Sequence, residues 1–208
     1  MGRFIGPVCR LCRRSGDKLM LKGDRCFGPK CGIDRRPKVP GPHQATRRRM
    51  SDRGVQLREK QKAKYTYGLF ERQFKRFFAD AGKQTGITGD NLVVLLERRL
   101  DNIVYKLGFA DSRSQARQLV LHGHILVNDH KVNIPSYLAK QGDVVKWREG
   151  SKKSEYFKTL VEGIKAKSVP SWLELDRENL IGKLTALPTS NAIEAKFETT
   201  SVVEWYSR

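Results

Sequence analysis

The stretch "DSRSQARQLVLHGHILVNDHKVNIPSYLAKQGDVVKW", residues 111–147, changes its period partway along. Ser112 followed by Gln115 is the pattern of a capping box that opens a helix. Ala116, Leu119 and Val120 then share one helical face, which packs inward, while Arg113, Arg117 and Gln118 fall on other faces, open to a ligand. Gly123 breaks the helix, and beyond it the pattern alternates. "HILV" (124–127) and "KVNI" (131–134) predict short strands around an Asn128-Asp129 turn, and "DVVKW" (143–147) predicts a third after Gly142. A helix pair against a small sheet, basic at the helix start and at the turn, is a shape that sits on a nucleic-acid backbone. The plainer alternative is a small scaffold with a charged surface. His122 and His124 suit turn or phosphate contacts better than metal ligation or base catalysis, since no third ligand lies near them in the sequence.

Helical patterns precede this stretch. "SDRGVQLREKQKAKYTYG" (51–68) predicts a basic helix capped by Ser51 or Asp52 and interrupted at Gly68. "LFERQFKRFFADAG" (69–82) sets Leu69, Phe70, Phe74, Phe77 and Phe78 at helical spacings, which favours core packing over stacking on bases. "GDNLVVLLERRLDNIVYKLG" (89–108) reads as one continuous third helix, with a stripe running from Leu92 to Leu107 and a stop at Gly108. At the other end, "NAIEAKFETTSVVEWYSR" (191–208) alternates loosely, as a strand or a partner contact would.

All four cysteines lie within the first 31 residues: Cys9, Cys12, Cys26 and Cys31, as C-x2-C, thirteen residues, then C-x4-C. Two close-spaced pairs can each clamp one edge of a tetrahedron, and thiolates are the ligands of closed structural zinc sites. Zinc is the expected metal, an iron–sulfur cluster the alternative. Two disulfides or four free thiols are the other readings of the same residues. Nearby Arg10, Arg13, Arg14 and Arg25 favour the thiolate forms. A metal would also order a segment too polar and too rich in glycine and proline to build a core of its own. "RRPKVPGPHQATRRRMSDRG" (35–54) follows as an extended linker whose Arg47, Arg48 and Arg49 suit phosphate contact.

Charge supports a polyanionic partner. The net charge is +19, and hydrophobic residues make up only 38% of the chain. Residues 1–64 carry 19 Lys/Arg against 5 Asp/Glu, so most of the excess sits in the N-terminal third. No apolar run is long enough to span a bilayer, and arginines interrupt any signal-peptide core, so an intracellular protein without a membrane partner is expected. By charge, Arg3, Arg10, Arg13, Arg14, Arg58, Lys60 and Lys62 join the candidates for RNA contact. Two rival classes are weaker. An RNA-modifying enzyme would need a nucleophile–base set or a phosphate-binding glycine loop in the residues after 150, and neither is evident. A zinc-finger DNA regulator would need a recognition helix and a dimerisation heptad.

"LLERRLDNIVYKLGF" (95–109), "SRSQARQLVLHGHILVN" (112–128) and "IPSYLAKQGD" (134–143) resemble the RNA-binding module named after small-subunit ribosomal protein four. "MGRFIGPVCRLCRRSG", "LREKQKAKYTYGLFERQF", "VPSWLELD" and the terminal "YSR" extend the resemblance, over essentially the full chain, to the bacterial family of that ribosomal protein in its cysteine-containing form. The resemblance implies an α+β protein: a metal-binding basic extension at 1–45, and a helical domain at 46–97 completed by a tail from about 165–208. The compact RNA-binding module, 98–164, is inserted into that domain. It implies a non-enzymatic constituent of the cytoplasmic ribosome that binds the 5′ domain of small-subunit (16S) rRNA, nucleates assembly of the body and contacts neighbouring ribosomal proteins. It further implies an influence on decoding accuracy and, in some bacteria, repression of the protein's own mRNA. On the matching motif it places RNA contact at Arg113, Ser114, Arg117, Gln118, His122 and Lys131, and it sets Arg47, Arg48 and Arg49 near the mRNA entry channel. The family's turn usually reads Asn-Gly. Asp129 stands in the glycine's place, and a differently shaped hairpin tip is expected.

Overall fold

The computed structural model describes residues 2, 4–41, 50–164, 167–189, 193 and 195–207. Its helices are α1 (Cys9–Ser15), α2 (Gly32–Arg35), α3 (Asp52–Thr66), α4 (Glu71–Gly82), α5 (Thr88–Glu97), α6 (Leu100–Lys106), α7 (Arg113–Leu121), α8 (Glu155–Gly163) and α9 (Thr199–Tyr206). Its strands are β1 (Ile125–Val127), β2 (His130–Lys131), β3 (Val144–Trp147), β4 (Leu173–Asp176) and β5 (Ile181–Leu184). The chain divides into two units, Met1–Val93 with Glu194–Arg208, and Val94–Ile193. No helix among the described residues is long and apolar enough to cross a membrane.

In the first unit, α3 starts where the Ser51 hydroxyl accepts a hydrogen bond from the Gly54 N–H at 3.2 Å, and it gives way at Gly68, whose φ is +63°. α4 buries Phe74 and Phe77, as its spacing predicts, while Phe70 remains exposed ahead of it. The tail is a helix rather than a strand. α9 packs along α3, with Val202 fully buried. Tyr206 sits 4.6 Å from Phe78, ring centre to ring centre, and the Gln56 amide donates to Glu204 at 2.7 Å. Those contacts override the weak helix propensity of Thr199, Thr200, Val202 and Val203.

The second unit holds an antiparallel sheet in the order β2-β1-β3-β5-β4. Its core joins Leu100, Ile103, Leu107 and Phe109 to Ile125, Val145, Trp147 and Leu173. β4 and β5 fall within the stretch expected to belong to the helical tail; pairing of β5 with β3 places residues 173–184 in this sheet instead. Gly182 is required there, because a Cβ would collide with the Leu107 side chain.

The expected continuous helix over 89–108 is broken at Arg99, which is extended at φ −64°, ψ 137°. No glycine or proline causes the break. The chain at 135–139 supplies the partners instead. The Leu100 and Asp101 N–H groups donate to the carbonyls of Tyr137 and Pro135 at 2.9 and 3.2 Å, and Ala139 N–H donates to the Arg98 carbonyl at 3.0 Å. These bonds satisfy N–H groups that a helix start leaves orphaned.

Candidate nucleic-acid interface

α7 is positioned by a local cap. The Ser112 hydroxyl accepts from the Gln115 N–H at 3.3 Å, and the Gln115 side-chain carbonyl accepts from the Asp111 N–H at 2.9 Å, one residue earlier than in the usual box. Ser114 and Gln118 are exposed on this helix. Arg113 is half-buried. Its Nε donates to Asn102 at 2.8 Å, and its guanidinium lies 4.7 Å from the Tyr105 ring centre. Arg117 does not face outward as its helical position suggests. It is 5% exposed and donates to Asp101 at 3.1 Å, beside the fork of Arg99, which donates to the same carboxylate at 3.0 and 2.6 Å. Two guanidinium groups on one carboxylate form the unit's buried polar anchor.

The hairpin tip keeps a regular shape despite Asp129. Asn128 and Asp129 have φ of +48° and +69°, the paired left-handed geometry of a type I′ two-residue turn. Asn128 locks it, donating to Asp143 at 2.8 Å and accepting from the Val144 N–H at 2.9 Å. Asp129 forms an ion pair with Lys146. Asp143 also accepts from Tyr137 and from the Lys140 N–H, so it is the hub that holds the tip. Beside the tip, Lys131 and His122 are exposed and His124 is half-buried. The Lys131 stem crosses Gly123, whose φ of +71° and missing Cβ leave room for it. His124 Nδ1 lies 2.9 Å from the Ser151 hydroxyl. Burial, then the facing His122 and Arg148, push the His124 ring below the usual histidine range.

In the first unit the candidate cations separate into two groups. Arg10 and Arg14 are exposed on α1. Arg13 is half-buried and donates to the Lys38 carbonyl at 2.9 Å. Along α3 the basic residues are largely occupied by the fold. Arg58 donates to the Ser15 carbonyl at 2.7 Å, and Lys62 pairs with Asp17 and Glu59, each at 2.6 Å. Lys60 is 4% exposed, pairs with Glu71 at 2.8 Å and lies 5.0 Å from the Trp205 ring centre, so it is not placed to meet a phosphate. Arg3, Arg47, Arg48 and Arg49 lie outside the described residues. A further basic face went unread in the sequence: Arg72, Lys75 and Arg76 are exposed on α4, opposite Phe74 and Phe77. Their i, i+3, i+4 spacing was the available signal.

The four cysteines are free thiols that line one small cavity, with Cys12, Cys26 and Cys31 buried and Cys9 half-buried. The Lys22 N–H donates to the Cys26 sulfur at 3.3 Å. Burial raises the Cys12 thiol, opposed by a hydrogen bond from the Leu19 backbone and reinforced by the charges of the other three cysteines. Among the described residues, no group of three or more His, Cys, Asp or Glu side chains is gathered closely enough to hold a metal ion as it stands.

Comparison with known proteins covers the chain from near its start. Residues 3–97 match the family described as ribosomal protein S4/S9 N-terminal domain, and residues 98–145 match the S4 domain. The chain is 58% identical over 208 residues to the small ribosomal subunit protein uS4 of Dehalococcoides mccartyi (strain CBDB1), with 100% of each chain covered. It is 54% identical to the protein of that name from Caldicellulosiruptor bescii and 53% to that from Halothermothrix orenii, again over 208 residues and 100% of each chain.

Proposed function

The chain belongs to the small ribosomal subunit protein uS4 family, and we infer from this that it is a structural, non-enzymatic constituent of the small ribosomal subunit, working in the cytoplasm and bound to rRNA. The observation that carries the reading is a relationship that runs the full length of both chains without a gap in coverage. The finer role is that of a primary binder of the 5′ domain of 16S rRNA, which nucleates the body of the subunit, contacts neighbouring ribosomal proteins and affects decoding accuracy. Repression of its own mRNA, and contact with mRNA near the entry channel through Arg47, Arg48 and Arg49, belong to the same reading.

Exposed cations support it on both units: Arg10, Arg14 and the α4 face on one, Lys131 on the other. Folded RNA offers phosphates and 2′-hydroxyls in a fixed relief, so recognition is by shape and backbone more than by a base code. Zinc would be held by Cys9, Cys12, Cys26 and Cys31, with an iron–sulfur cluster as the alternative. The donors fit in kind, four free thiols lining one cavity with a backbone N–H on one sulfur, and they would have to draw closer together to close on the ion. Bound there, the metal would supply folding free energy to a segment with little core.

The test is binding of the full-length protein to a 5′-domain rRNA fragment across a salt series, with tRNA and duplex DNA as competitors. Selective binding, with an affinity that falls as salt rises by a log–log slope of about −0.7 to −0.9 per phosphate contact, is expected. Equal affinity for all three polyanions would sink the ribosomal reading.

A further inference from the structure

Two side chains from beyond residue 145, where the match to the S4 domain ends, reach back to the turn that opens α7. The Tyr156 hydroxyl donates to the Phe109 carbonyl at 3.1 Å. The Lys167 ammonium donates to the Gly108 carbonyl at 3.1 Å and to the Asp111 carboxylate at 2.8 Å. Both carbonyls lie in the turn between α6 and α7, and in each case a distant side chain supplies the donor. The Lys167 stem lies across Gly108, whose φ is +80° and where a Cβ would come within 2.9 Å of it. Lys167 is held in turn by the chain that ends α8, since its N–H donates to the Ile164 carbonyl at 3.1 Å.

The same turn carries the cap of α7. Asp111 donates its N–H to the Gln115 side chain, and the Ser112 hydroxyl accepts from the Gln115 N–H. The middle of α7 is fixed by the complete burial of Ala116 and Val120. Its first turn is not buried: Ser114 is exposed, and Arg113 and Gln115 are only half-buried. Where that first turn sits is set by residues 108–112 and by the hydrogen bond of Arg113 to Asn102.

Resting on the reading of the protein as an rRNA binder that uses α7, we propose that Tyr156 and Lys167 are positioning residues for rRNA binding. They touch no RNA. They fix the turn 108–112, and through Asp111 and Ser112 they hold the first turn of α7 in place. The RNA-binding module of this chain thereby extends past its matched residues, to a brace formed by α8 and the segment after it. Charge separates this role from direct contact. Asp111 is an anion at the foot of a helix that faces a polyanion, so long-range electrostatics alone would make its removal tighten binding. A Lys167 that met a phosphate would carry part of the salt dependence. A brace predicts the opposite on both counts.

The test uses the full-length chain and a 5′-domain rRNA fragment across a salt series, with amide hydrogen exchange measured on the free protein. The Lys167 and Asp111 side chains are 31% and 41% exposed, so each of Lys167→Met and Asp111→Ala should weaken binding by roughly fivefold, with the salt slope unchanged. The double variant should bind about as weakly as either single one, because the two side chains act as a pair. Tyr156→Phe, which keeps the ring and removes the hydroxyl, should weaken binding in the same way. Lys167→Arg, which keeps a charged donor for both acceptors, should recover most of the affinity. In the weakened variants exchange should quicken over residues 108–115 while β1, β3 and β5 keep their protection. Tighter binding by Asp111→Ala, a lower salt slope in Lys167→Met, or a loss of protection spread across the sheet would each overturn the proposal. Selectivity of the unaltered protein for the rRNA fragment over tRNA and duplex DNA tests the ribosomal reading separately. If it is kept, the variants judge the brace alone; if it is lost, the ribosomal reading falls whatever the variants do.

Discussion

Arg117 Nη1 donates to Asp101 Oδ2 at 3.1 Å, and each of the two side chains is 6% exposed. Asp101 already holds Arg99, whose side chain is fully buried, so the three side chains form one desolvated cluster between α6 and α7. An arginine in this position is part of the scaffold that presents the module's surface.

Replacing Arg117 with Met should therefore act on stability first. Removing one partner of a buried ion pair leaves a charge less well compensated. With Arg99 still in place the cost should be about 1–3 kcal/mol, below that of an isolated buried pair. Urea unfolding would measure it. Arg14→Ala, at an exposed position, should leave stability unchanged and lower the salt slope of rRNA binding by one phosphate contact. If Arg117→Met lowered the slope without loss of stability, the assignment of Arg117 to the scaffold would be wrong.

Glu71 makes the first unit sensitive to acid. Burial pushes its carboxyl up, but hydrogen bonds from Lys60, Tyr206 and Lys64 overcome that and hold it at about 2, below its ordinary 4.5. A depressed folded value means stability that is fully present above pH 4.5 and drains away as the pH falls towards 2. The Glu71 side chain is 46% exposed, so solvent screening reduces the contribution to about 1–2 kcal/mol. Unfolding of the wild type and of Glu71→Gln should be compared between pH 6 and the acid limit. The gap between them should narrow on acidification; a constant gap would show that the carboxylate charge is not what matters.

Asp129 is the one residue of the hairpin tip that glycine should improve. Its φ of +69° costs an L side chain more than it costs glycine, and its ion pair with Lys146 is made by a side chain 76% exposed. Asp129→Gly should raise stability by about 0.5 kcal/mol. Asn128→Ala should lower it by about 1–3 kcal/mol, because Asp143 and the Val144 N–H both lose a partner. Thermal unfolding of the two variants separates these effects, and a fall in stability for Asp129→Gly would mean that the ion pair outweighs the backbone strain.

How far the fold could be read from the sequence follows from how local each cause is. α3 and α7 were legible from the serine caps at their starts, and α4 from the spacing of its phenylalanines, all signals that lie within or next to the elements themselves. The break at Arg99 was not, because its cause is the backbone at 135–139, which no residue near 99 announces. The β4–β5 hairpin and the helical form of α9 were not legible for the same reason, although the tail does join the unit of α3 and α4 as the resemblance implied: short segments with mixed patterns take their form from partners far along the chain, β3 in one case and α3 in the other. At the candidate interface, charge was legible and direction was not. Lys60 and Arg117 look like any other cation of their helices until Glu71 and Asp101 are seen to claim them.

The cysteine segment tests whether a metal, rather than burial, orders the N-terminus. Leu19 is the only fully buried aliphatic side chain among the described residues of 2–41, and the other buried side chains there are Cys12, Ser15, Cys26 and Cys31. So small a core contributes little to holding α1 and α2 together, whereas a structural zinc would add folding free energy on the order of 10–16 kcal/mol, as it does in zinc-finger peptides. Wild-type protein should carry close to one zinc per chain by elemental analysis. Cys9→Ser combined with Cys12→Ser should abolish it and open the first 41 residues to protease, while the unit at Val94–Ile193 keeps its protection. A chelator should reproduce the protease pattern in the unaltered chain. Iron with sulfide in place of zinc would select the cluster. A metal-free wild-type chain with a protected N-terminus would show that the thiols serve packing alone.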